Sequence, residues 1–141
     1  MPVRHAFEYA VLRLVPRVER EEFLNVGVLV FCRSRRFLSA QIMLDEPRAH
    51  AFAPDLDLAL VREQLDHVPL ICTGGKAAGP IGELPQFERF RWLVAPRSTI
   101  LQPSPVHCGT CDDPQRALDR LVQTMVAPIR SANNPATTTS R

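Results

Sequence analysis

Between Phe7 and Val15 apolar side chains occupy both parities of an extended chain, with Phe7, Tyr9, Val11 and Val15 on one face and Ala10, Leu12 and Leu14 on the other. Two apolar faces predict a strand covered on both sides, and Arg13 is the exception to the pattern. A polar stretch, PRVEREE, interrupts it before FLNVGVLVFC resumes as a second, β-branched strand. The tetrad RSRR, Arg33 to Arg36, leads into FLSAQIML, in which Leu38, Ala40, Ile42 and Leu44 alternate with Ser39 and Gln41. The pair reads as a hairpin with one wetter face.

Beyond Pro47 the period lengthens. Leu58, Val61, Leu65 and Val68 recur at helical spacing with Asp55 or Asp57 available as N-cap, which predicts a helix near Leu56 to Val68. TGGKAAGPIG has no periodicity and reads as a flexible loop. A second helix begins near Pro85, carries Phe87, Phe90, Leu93 and Val94, and stops at Pro96. STILQPSPV suits a short edge strand, given Pro103 and Pro105. In the last helix Asp113 caps, Pro114 occupies the first turn, and Leu118, Leu121, Val122, Met125, Val126 and Ile129 form one apolar stripe. Strands first and helices after them predict an α+β fold: a mainly antiparallel sheet of three or four strands packed against about three helices, as a single-domain two-layer sandwich with the helices on one face. That domain is expected over residues 1–130, with the polar stretch 131–141 a disordered tail.

Composition adds little to the architecture and narrows the partners. In 141 residues with 45% hydrophobic side chains there is room for one core of ordinary size. A net charge of +2 gives no global field that would favour nucleic acid or an anionic membrane. Arginine supplies all the basic residues except Lys76, a bias that a codon background explains as well as phosphate recognition does. Glu8 and Arg13 interrupt the N-terminal apolar run, so it does not resemble a signal peptide, and no segment reaches the roughly 18 apolar residues of a membrane span. A cytoplasmic protein is expected, with its cysteines mostly reduced. No cofactor and no metal are expected.

VHCGTCDDP draws the eye as a Cys-x-x-Cys pair, Cys108 and Cys111, beside His107. A redox dithiol needs a stabilised thiolate, and Asp112 and Asp113 oppose one; a structural zinc site needs four converging ligands, whereas Cys32 and Cys72 lie in apolar surroundings. TGGK lacks the spacing and the following helix of a phosphate-binding loop. Arg33, Arg35 and Arg36 are an accessible basic cluster, the one feature that fits a phosphate backbone, with no aromatic residue interleaved. Arg13 embedded in a strand requires a partner, and Glu22 is the natural one, with Asn25 hydrogen-bonded nearby. The functional version of the same residues is a polar pocket in which His107 acts as acid or base.

Two stretches carry a family resemblance. YAVLRLVPRVEREEFLNVGVLVF resembles the opening signature of the bacterial family DUF3037, and FRWLVAPRSTILQPSPVHCGTCDDPQRALDRLV resembles its second half. Between them they cover the first and last thirds of the chain. The resemblance marks Arg13, Glu22, Asn25, Gly27, Arg91, Ser98, Gln102, Ser104 and His107 as positions to watch, and it does not require cysteine at 108 or 111. Members of the family are often encoded beside HipA-like proteins of kinase fold, which implies an interaction or accessory module with such a protein as partner. The alternative is a hydrolase or nucleic-acid-processing enzyme, with His107, Glu22 and Asn25 as catalytic groups and Arg13, Arg91, Ser98, Gln102 and Ser104 binding ligand or phosphate. A nucleic-acid role through Arg33, Arg35 and Arg36 is the least expected of the three.

Overall fold

The computed structural model describes residues 3–129, so the tail expected over 131–141 lies outside the described residues. The front apolar runs form three antiparallel strands, β1 (His5–Leu14), β2 (Leu24–Cys32) and β3 (Phe37–Ile42). RSRR is the tip of the β2–β3 hairpin, where Arg36 takes a left-handed φ of 50°. Two short strands, β4 (Leu101–Pro103) and β5 (His107–Cys111), lie end to end along the other side of β1, so the sheet order is β3-β2-β1-β4 with β5 beside the start of β1. The sequence predicts β4 and not β5, because HCGTC has little strand propensity of its own. Pairing with β1 makes it a strand, and the Phe7 ring covers Gly109 so closely that a Cβ there would stand 2.8 Å from Phe7 Cζ.

Ser104 joins the two short strands. Its backbone N–H donates to Val11 O at 2.8 Å, and its buried hydroxyl accepts from the Val11 N–H at 2.8 Å. The hydroxyl therefore stands in for a strand carbonyl where Pro103 and Pro105 break the ladder. Ser104→Ala would leave the Val11 N–H buried without an acceptor, at an expected cost of about 1–3 kcal/mol. Denaturant unfolding measures it, and a loss below about 0.5 kcal/mol would contradict this role.

Among the described residues four α-helices complete the fold: α1 (Glu46–Phe52), α2 (Leu58–Thr73), α3 (Gln86–Leu93) and α4 (Pro114–Met125). Aspartates cap three of them, Asp45, Asp57 and Asp113 accepting from the backbone N–H groups of Arg48, Leu60 and Gln115. α2 runs through Pro69, five residues beyond the expected end at Val68, because Ile71 and Cys72 in its last turn are buried against Phe31 and Phe90. The following segment is not a loose loop. Two 3₁₀ turns, Lys76–Ala78 and Pro80–Glu83, shape it, and Arg89 anchors it by donating to Ile71 O at 2.9 Å, Leu84 O at 2.6 Å and Cys72 O at 3.4 Å.

A bulge decides which residues face which helix. The pairing of β1 with β2 shifts between Leu12 and Arg13, where Val26 is the extra residue. Val28, Val30 and Cys32 accordingly pack with Phe7, Leu118 and Val122 under α4, whereas Leu24 and Val26 turn to the other face, with Leu12, Leu14, Val61 and Leu65 under α2. Helices thus cover both faces of the antiparallel sheet, where the sequence reading placed them on one. The cause is the double apolar parity of β1 and β2, which leaves two faces to be taken out of water.

Candidate functional site

The same bulge sets Asn25 on the α4 face. Arg13 on β1 stands opposite Asn25 on β2 and opposite Gln102 on β4, so a polar row crosses three neighbouring strands. The C-terminal end of α4 borders it: Asn25 Nδ2 donates to Met125 O at 3.0 Å. Gln102 Nε2 donates to Thr99 O at 2.9 Å. The Arg13 guanidinium carbon lies 4.1 Å from the centroid of the Phe23 ring, which is 44% exposed, so the ring holds the cation at the protein surface. Arg13 Nε and Asn25 Oδ1 are both buried and have no hydrogen-bond partner among the described residues. Arg13 likewise joins none of the ion pairs found among them. Arg13 thus presents a guanidinium oriented by an aromatic ring, with its Nε unpaired among the described residues and the Asn25 side chain opposite it.

His107 shares this face and not this row. Its ring packs against Tyr9 in a tilted pair with centroids 5.3 Å apart, opposite that residue in register, and it is exposed. Tyr9 and Arg13 are four residues apart on β1, about 13 Å at the strand rise, with Val11 and Ser104 between them. The convergence on His107 that acid–base chemistry would need is not present in this arrangement. Glu22 does not pair with Arg13. It is exposed, bonds Arg20 Nε at 2.6 Å, and that hydrogen bond holds its carboxyl below the usual range. Glu22 sits in the loop before β2, where a local arginine reaches it first.

Arg91 and Ser98 are exposed and outside the row. Arg91 and Arg33 both stand over Phe87, at 5.6 and 4.8 Å from its centroid, so α3 brings an aromatic side chain to the arginine tip that sequence spacing did not connect. Arg35 donates to Asp112 O at 3.4 Å, and Arg36 accepts from Gln86 through its carbonyl. This cluster lies at the end of β2 opposite to Asn25.

The thiols are dispersed. Cys108 and Cys111 are three residues apart on β5 and therefore point to opposite faces, one exposed and one buried. Burial first, then Cys32, Asp112 and Asp113, raise the Cys111 thiol against the opposing pull of Arg4. Burial pushes Cys72 up to about 12, with Arg89 opposing. Among the described residues no group of three His, Cys, Asp or Glu side chains is placed to hold a metal ion.

Among the described residues two hollows stand out, the smaller of them lined in part by Gln102 of the row. One of about 130 Å³ sits between α2, the end of α3 and β4, where Arg97 is turned onto Trp92 O at 2.5 Å and Ala95 O at 3.3 Å, and burial lowers its pKa. The other, about 700 Å³, separates residues 16–22 from 52–56 and is lined by the pairs Arg17–Glu19 and Arg20–Glu22 together with Asp55. Sequence reasoning passed over Phe23 and the Met125 carbonyl as parts of the site; the exposed aromatic two residues from Asn25 was the available signal.

No curated protein and no solved structure matches the chain. The model of DUF3037, described as a protein of unknown function, matches residues 9–126, a span that includes both motif segments and every member of the polar row. The chain belongs to that family.

Proposed function

We propose that the chain is a recognition module, the accessory partner of a HipA-like protein of kinase fold, and that it takes an acidic group of that partner on Arg13. The observation that carries this reading is the unspent Nε of Arg13: the side chain stands over Phe23 and opposite Asn25, yet no group of the described chain accepts from that N–H. A buried donor without an acceptor costs free energy in the isolated protein, and a ligand that supplied the missing acceptor would recover it. The association with kinase-fold proteins that the family resemblance implies supports this class of partner. Co-expression with the neighbouring kinase-fold protein, followed by affinity purification through a tag on that protein, is expected to recover both chains in equal amounts. Recovery of the kinase-fold protein alone would overturn the proposal.

A further inference from the structure

The two edges of the sheet are built differently. On one side β4 and β5 are short, and Pro103, Ser104 and Pro105 break the edge between them. On the other side β3, Phe37-Leu38-Ser39-Ala40-Gln41-Ile42, has no charge, no proline, no glycine and no bulge. Edges are ordinarily blunted by such devices, because a row of free N–H and C=O groups pairs with any strand that reaches it. The Met43 N–H donates to Val26 O, so by alternation Gln41 and Ser39 also bond inward to β2, and the backbone groups of Leu38, Ala40 and Ile42 point outward.

We infer that β3 pairs with β3 of a second copy of this chain, antiparallel about a two-fold axis at Ala40, making one continuous sheet. The occupant follows from the self-complementarity of the edge. About that axis Leu38 meets Ile42 of the second copy, Phe37 meets Met43, Ser39 meets Gln41 and Ala40 meets itself, so apolar stands against apolar and polar against polar at every position. Beyond the strand, the two-fold axis brings the Arg35 end of one copy toward the Asp45 end of the other. Neither has an ion-pair partner among the described residues: Arg35 makes only its long bond to Asp112 O, and Asp45 caps α1. A six-residue edge buries less than the roughly 1,000 Å² of a stable interface, so the dimer is expected to dissociate in the micromolar range.

Sedimentation equilibrium over micromolar concentrations tests this, with species of one and two times 15.8 kDa as the readout. The parent chain is expected to dimerise. Ala40→Pro removes an outward N–H that β2 does not use, and it should give a monomer with unchanged circular dichroism. Arg35→Glu should weaken the dimer about tenfold, and Arg35→Glu combined with Asp45→Arg should restore it; this exchange decides the matter should the proline variant misfold. A monomeric parent chain, or a dimer indifferent to both the proline and the charge reversal, would overturn the inference.

Discussion

Arg13→Ala is expected to leave the free protein as stable as the parent or slightly more so, while weakening the proposed complex by about thirtyfold or more. The two effects have one origin. In the free chain the substitution forfeits a cation–π contact with Phe23 of about 0.5–1 kcal/mol, but it also removes a buried Nε that has no acceptor among the described residues, which is worth a similar amount of opposite sign. In the complex it strands the acidic group that Arg13 would have met, at about 2–5 kcal/mol. Arg13→Lys keeps the charge and loses the fork, so it should recover only part of the affinity. Thermal unfolding and the affinity for the kinase-fold partner are measured side by side. A purely structural arginine would give the reverse pattern, with lost stability and an intact complex.

Arg89→Ala is expected to destabilise the chain by about 2–4 kcal/mol, the largest loss foreseen for any exposed or half-buried position. One guanidinium satisfies the carbonyls of Ile71 and Cys72, in the last turn of α2, and of Leu84, just after the second 3₁₀ turn. Helix C-termini leave such carbonyls without intrahelical partners, and here the glycine turn that follows cannot supply all of them. Gly74, with φ of 83°, passes so close that a Cβ would stand 2.9 Å from Arg89 Cζ, so the guanidinium fills the space a side chain at 74 would need. Arg89→Lys offers a point charge in place of the fork and should recover less than half of the loss. Urea denaturation checks both variants, and a loss below about 1 kcal/mol for alanine would show that the segment holds itself.

Much of the fold is readable from residue pattern because the signals are local and strong. Alternating apolar runs gave β1 to β3, and Asp113-Pro114 before an apolar stripe gave α4. α1 carries nearly the same signature in Asp45-Glu46-Pro47 but is only seven residues long, too short for periodicity to mark it. β5 and the anchored loop over 74–84 are products of tertiary contact, with β1 in one case and Arg89 in the other, so no window of sequence contains them. The distribution of helices over both faces was implicit in the double apolar parity of β1. The candidate site divides in the same way. Arg13, Asn25 and Gln102 could be named from the motifs, but their meeting in one row depends on a bulge at Val26 and on a strand pairing across almost ninety residues. Glu22 and His107, named beside them, lie elsewhere because a closer arginine takes the first and the Tyr9 ring takes the second.

On the function proposed above, the Arg13 row is an open anion receptor and not a structural pair. Side-chain ¹H–¹⁵N spectra of the full chain, titrated with inorganic phosphate, test it most directly. Saturable shifts at Arg13 Nε and at the Asn25 and Gln102 amides are expected, absent from Arg13→Ala; shifts confined to the Arg33–Arg36 tip, or none at the row, would contradict it.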